Sequence, residues 1–202
     1  MRTTKPISTI SYNTAPYLEQ KLNELQKAKK ISLWHFIQHQ GEDDEAGKKD
    51  HIHLYIEPSK LIQTDDLKEF FSEYDPTHSS KPLTCLTFRS SKFQDWYLYG
   101  EHNKAYLASK NQTRRYAYRY EHFKTSDADE LNRQYKEIDL TALTPFMAIL
   151  DAQANGLTFF EYIKHSGVPL PQLRNAEYAW FLCEQNGTYR YDRQTHTPKE
   201  KI

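Results

Sequence analysis

The chain has 202 residues, 38% of them hydrophobic and 14% aromatic, and its 27 Lys and Arg balance 27 Asp and Glu. That is enough apolar material for one packed domain plus a small appendage and too much for a disordered chain; zero net charge excludes a uniformly basic nucleic-acid coat but leaves room for a local basic patch. The start lacks a leader-like apolar region, no run of 18 apolar residues occurs, and Cys85 and Cys183 stand apart without metal or disulfide spacing, so the expectation is a cytoplasmic protein with two reduced thiols and no membrane span.

Residues 7–13, ISTISYN, alternate as a strand that ends at a turn. Residues 15–30 place Tyr17, Leu18, Leu22, Leu25 and Ala28 at helical spacing. ISLWHFIQHQ (31–40) reads as a buried strand, GEDDEAGKKD (41–50) as a charged loop, and HIHLYIEP (51–58) as a second strand stopped by Pro58. Two strands across one loop predict an antiparallel hairpin. Thr64 is placed to cap a helix carrying Leu67, Phe70 and Phe71. PLTCLTFRS (82–90) alternates as a strand, residues 91–110 begin as a helix that Gly100 interrupts, and RRYAYRYEHF (114–123) has the period of a strand. The fold class implied is α+β, a five-stranded antiparallel sheet with flanking helices.

Beyond residue 125 the pattern turns helical, with Gly156 and Gly167 as expected helix ends. A boundary is expected within 125–138, separating a domain over 1–125 from a small all-helical domain over 139–190 and a loose polar tail over 191–202. Charge divides there too: residues 1–124 carry a net +3 and the remainder −3.

In a strand, His51 and His53 flank Ile52 and so share a face. Neutral imidazole is a common metal ligand. His39 ends the preceding strand and should lie opposite the pair, with Glu42 three residues on and Asp43 as an alternative carboxylate. Three histidines and a carboxylate can converge on a divalent ion of the manganese, magnesium or zinc type. Asp44 and Glu45 read as a solvated loop. In DWYLYGEHNK (95–104), Tyr97 and Tyr99 are two apart. On a helix that is about 200° of rotation, so only one of them can face such a site while the other meets core or solvent. A tyrosine is a poor nucleophile at its usual pKa of about 10, and a bound cation that polarises a phosphodiester lowers what is asked of it.

This ordered set (His39 with Glu42, KKDHIHLYI, then the helix bearing YLYGEHNK) resembles the HUH endonucleases. It is most similar to the short replication initiators of small rolling-circle plasmids. The resemblance covers roughly residues 5–125 and more faintly the rest. It implies His39, Glu42, His51 and His53 as metal ligands, Mn2+ or Mg2+ as cofactor, and Tyr99 as nucleophile. Tyr99 would nick one strand at a hairpin origin with flanking duplex, stay joined to the 5′ end and release a 3′-OH for host polymerase and helicase to use. Glu42 stands where the family usually carries Asp, GEH after Tyr99 departs from the usual run although His102 is kept, and Asn103 four residues after Tyr99 makes this a single-tyrosine pattern.

The densest basic stretch is residues 110–124. As a strand it would set Tyr116, Tyr118 and Tyr120 on one face, for core packing or for stacking on bases, and Arg115 and Arg119 on the other, for phosphates. Lys48, Lys49, Arg89, Lys104 and Arg114 complete the expected DNA contacts. Large apolar residues crowd the helical segment, among them Phe146, Ile149, Phe160, Trp180 and Phe181, which points to a homo-oligomer formed through it. Rival readings are a mobilisation relaxase or single-strand transposase of the same superfamily, a non-catalytic origin-binding protein, and an unrelated His-x-His phosphoesterase or cupin-like metal protein.

Overall fold

The computed structural model describes residues 2–40, 49–71, 87–114, 116–168, 172–187, 190–192 and 197–199. Strands β1 (Arg2–Thr3) and β2 (Ile7–Ser11) open the chain. Helix α1 (Ala15–Lys27) carries Pro16 in its first turn, where a missing N–H costs nothing, and buries Leu18, Leu22 and Leu25 along one face. β3 (Ile31–His39) and β4 (His51–Pro58) form the expected hairpin, pairing His39 with His51, Ile37 with His53 and His35 with Tyr55. β5 (Ile62–Gln63) pairs with β1, and α2 (Thr64–Phe71) follows with Asp65 and Asp66 in its first turn, where the helix dipole favours them. β6 (Arg89–Ser90) edges β2, and the YLY segment becomes α3 (Phe93–Gly100). Asn103 then caps α4 (Lys104–Ser109), its side-chain oxygen accepting from Tyr106 N–H at 3.0 Å. After a 3-10 turn at Tyr120–His122, β7 (Phe123–Thr125) pairs with β3. The remaining helices are α5 (Ala128–Lys136), α6 (Thr144–Ala154), α7 (Phe159–Ser166) and α8 (Leu173–Gly187), and β8 (Arg190–Asp192) pairs with β9 (Thr197–Lys199).

The expected fold class holds: five antiparallel strands in the order β6-β2-β4-β3-β7, with eight helices among the described residues. One sheet face is apolar. Trp34, Phe36, Ile52, Leu54 and Ile56 pack there with the leucines of α1 and with Leu67 and Phe71 of α2. Each such side chain contributes about 1.5–3 kcal/mol on burial, so this face holds the layer together. The other face presents His35, Ile37 and His39 beside His51, His53 and Tyr55, all buried. Phe93 and Trp96 of α3 cover His35 and Tyr55, with ring centroids 5.4–5.9 Å apart.

Contacts divide the chain into two units. The first takes in the described residues up to Gly100 together with Arg119–Ile138; the second takes in Glu101–Tyr118 and the described residues from Asp139 onward. In the second, Ala108 of α4, Ile149 of α6 and Leu182 and Cys183 of α8 form a small core with Phe146, Leu150, Tyr162 and Trp180 packed on it. Phe160 and Phe181, two of the large apolar residues of the helical segment, are exposed. Cys183 keeps a free thiol, which burial pushes up to about 12; Cys85 lies outside the described residues. No helix among the described residues is long and apolar enough to cross a membrane.

Two expectations need correcting. The described residues of 114–123 do not form a strand. Tyr116 and Tyr118 alternate in burial, but the segment's backbone is satisfied elsewhere: Tyr118 N–H donates to Glu101 O at 2.8 Å and His102 Nδ1 donates to Tyr116 O at 2.7 Å. The edge strand is Phe123–Thr125 instead. The stretch 125–138, expected to hold a boundary, carries α5, started by Asp127, whose carboxylate accepts from Glu130 N–H at 3.0 Å, and the division between the two units falls at its end, between Ile138 and Asp139. The tail over 191–202, read as loose, contributes to the β8–β9 pair.

Candidate metal centre

The hairpin register decides the site. His39 ends β3 directly opposite His51 at the start of β4, and His53 lies two residues further along the same face. The three imidazoles are buried, and one nitrogen from each lies within 4.8 Å of the others. Ring centroids are 4.4 Å apart for His39 and His53, 5.3 Å for His39 and His51, and 4.9 Å for His51 and His53.

Hydrogen bonds assign the tautomers. His51 Nδ1 donates to Lys49 O at 3.0 Å, so its Nε2 is the acceptor nitrogen, and it lies 3.1 Å from His53 Nε2. His39 Nε2 donates to Gly100 O at 2.7 Å, so its Nδ1 is the acceptor nitrogen. Histidines that bind metal characteristically place the other ring N–H on a carbonyl or carboxylate, and two of these three do so. Metal–nitrogen bonds of about 2.0–2.1 Å separate neighbouring ligand nitrogens by roughly 3 Å, close to the His51–His53 spacing. The donor set therefore fits a metal ion, and His39, His51 and His53 are the residues that can hold one.

α3 closes this face through its last residue. A Cβ on Gly100 would lie 3.1 Å from Ile37 Cγ2 and 3.4 Å from Phe123 Cε1, so glycine permits the approach that brings the carbonyl to His39. The rotation of α3 separates its two tyrosines. Tyr97 is buried, stacked on Phe123 at 4.4 Å and against Tyr135 at 5.3 Å. Tyr99 is half-buried and meets His53 edge-on, with centroids 5.2 Å apart. Of the pair, Tyr99 is the one beside the histidines.

The other expected site residues are more scattered. Glu42, Asp43, Lys48 and Arg115 lie outside the described residues. Lys49 is exposed and contributes its backbone carbonyl to His51. Arg89 is exposed on the edge strand β6. Arg119 is exposed, 3.8 Å from Glu121. Lys104 opens α4 in the second unit, and there Arg114 donates from Nη1 to Thr113 O at 2.7 Å. Tyr116 and Tyr118 are buried, which removes them as stacking platforms.

Three participants were missed from sequence: the carbonyls of Gly100 and Lys49, and Tyr12, whose ring lies 6.4 Å from that of His51. On the same sheet face a second polar chain runs from Thr125 to His35, whose Nε2 lies 3.1 Å from Gln134 Oε1. Gln134 Nε2 then donates to Glu57 at 2.8 Å, as Tyr55 does at 3.2 Å. Burial lowers His35 to about 4, so it is neutral, and its two ring nitrogens are taken up by Thr125 and Gln134. In the second unit, burial raises the Glu101 carboxyl to about 7. The chain matches no protein-family model and no curated protein.

Proposed function

We propose that this chain is a metal-dependent DNA strand nickase and transferase that works through a covalent 5′-phosphotyrosine, in the manner of the HUH replication initiators it resembles. One observation carries the reading: half-buried Tyr99, on the helix that closes this face, stands against His53 of a buried three-histidine centre. His39, His51 and His53 would hold a divalent cation, which when bound would supply Lewis-acid polarisation of a phosphodiester oxygen. Tyr99 Oη attacks the phosphorus, gives up its proton, forms the phosphotyrosine and expels the 3′-oxygen as a 3′-OH. The ester stores the energy of the broken bond, so a returning 3′-OH can reverse the step. Gly100 O and Lys49 O hold His39 and His51 in the tautomers that leave one nitrogen of each toward the centre. Three imidazoles by themselves suit zinc-type ions. Use of Mn2+ or Mg2+ assigns the carboxylate of Glu42, with Asp43 as its substitute, to complete the set. The substrate is the origin of a small replicon in the cytoplasm, and copies of the chain associate through the helical segment.

The test uses supercoiled DNA of the replicon that encodes the chain, with manganese, with and without chelator, followed by digestion and mass spectrometry. A nick, and a nucleotide adduct on Tyr99 that chelator abolishes, is the expected result. An adduct on Tyr97 would overturn the residue assignment. Binding without nick or adduct would overturn the enzyme and leave an origin-binding protein.

A further inference from the structure

The row of side chains that builds the metal centre extends past β4 onto β2. Ile10 pairs with His53 and Ser11 with Ile52, so one more residue of register sets Tyr12 across from His51, on the histidine face. The ring is found there, its centroid 6.4 Å from that of His51 and the planes tilted by 52°. Tyr12 is half-buried, between Ser11 and Asn13, which are both buried. Its backbone is pinned on either side: Asn13 N–H donates to Ser11 Oγ at 3.2 Å, and Asn13 Nδ2 donates to Phe71 O at 3.0 Å. The triad is thus walled by His39 from β3, by Tyr99 from α3, and on the β2 side by a second aromatic ring that the nicking chemistry leaves unused.

A partly exposed ring carried on a pinned stretch of chain beside a candidate ligand histidine is suited to one job. A phosphate held at the triad brings the bases on either side of it to the rim. An aromatic face there gains from stacking whatever the base, and loses little entropy because it is already ordered. We infer that Tyr12 is a stacking platform for a base flanking the phosphate at the triad, which makes single-stranded nucleic acid the occupant of the β2 rim; this rests on the nicking function proposed above. The ring carries the effect, and the hydroxyl is incidental.

The test starts from the nick site mapped on supercoiled DNA. A single-stranded oligonucleotide spanning it is bound with manganese present, in a Tyr99→Phe background that prevents cleavage. Two further oligonucleotides each replace one flanking base by an abasic site. Tyr12→Ala should raise Kd roughly 5- to 150-fold. Tyr12→Phe should stay within about twofold, since the stacking face survives. On one of the abasic oligonucleotides the alanine penalty should vanish, because the base it answers to is gone. Manganese affinity and melting temperature should be unchanged, which separates stacking from damage to His51. Tyr12→Leu, which keeps bulk and lacks a π-face, replaces the alanine variant if that one fails to fold. A penalty that persists on both abasic oligonucleotides, a phenylalanine variant as weak as the alanine one, or no penalty at all overturns the inference while leaving the nickase intact. If the unsubstituted chain nicks nothing, the functional reading falls first and takes the inference with it.

Discussion

Gly100→Ala is the sharpest perturbation of the centre that touches none of its ligands. In an open helix the change is worth about 1 kcal/mol in favour of alanine. Here the new methyl would press on Ile37 Cγ2 at 3.1 Å and Phe123 Cε1 at 3.4 Å. Neither neighbour can give way cheaply. Ile37 is fully buried and β-branched, so its methyl moves only at the cost of an off-rotamer side chain; Phe123 is stacked on Tyr97 at 4.4 Å. Overpacking costs about 1–3 kcal/mol, which outweighs the propensity gain and leaves a net loss of up to about 2 kcal/mol. The fold can escape that loss only by lifting the end of α3, and this lengthens the 2.7 Å bond from His39 Nε2 to Gly100 O. Loss of an outer-shell partner costs about 10- to 100-fold in metal affinity. Urea denaturation followed by tryptophan fluorescence reads the first quantity, and calorimetric titration with Mn2+ and Zn2+ reads the second. A Gly100→Ala protein at least as stable as its parent, with the same metal affinity, would refute the claim that this carbonyl is held by close packing and orients His39.

His53→Ala should abolish calorimetric binding of Mn2+ and Zn2+, exceeding the loss for Gly100→Ala, because it removes a ligand. Tyr97→Ala should cost about 3–5 kcal/mol in urea denaturation as a fully buried aromatic, whereas Tyr99→Phe should leave stability within about 0.5 kcal/mol. His35 titrates at about 4 in the fold against about 6.5 unfolded. As pH falls from 6.5 to 4 the unfolded chain takes up a proton the fold refuses, and stability drops by about 3 kcal/mol. His35→Gln should flatten that limb in denaturation curves collected across the window. Glu101 has the opposite sign: its carboxyl is raised to about 7, so stability falls as pH rises from 4.5 to 7, and Glu101→Gln should remove that slope.

The hairpin and the triad were readable because parity in a strand is strict: once residues 51–58 are a strand, His51 and His53 share a face whatever the register, and His39 joins them in every register of the right parity. The helix arithmetic likewise forced a choice between Tyr97 and Tyr99, and the sequence lacked only the identity of the neighbour that would bury one of them. What escaped has specific causes. A carbonyl has no letter of its own, so Gly100 read as a mere interruption. The tyrosines of 114–123 alternate because one side is buried, and an extended segment bonded to Glu101 and His102 buries one side as a strand does. The helix at Ala128–Lys136 did announce itself, through Asp127 with Glu130 and acids before bases, but in a stretch already taken for a boundary. Tyr12 could be placed only once β2 had a partner and a register.

Strand alignment and metal affinity are one variable in this fold. A slip of β4 by a single residue would turn His51 and His53 toward α1 and α2 and bring Ile52 and Leu54 to the other side. A hairpin slipped by one residue cannot keep the ligand set, so ion uptake would report on the alignment of the central strand pair. Metal bound by the native alignment alone adds about 2.7 kcal/mol at a hundredfold excess over Kd. A cation taken up by the three histidines would thus also favour, during folding, a pairing that brings them together.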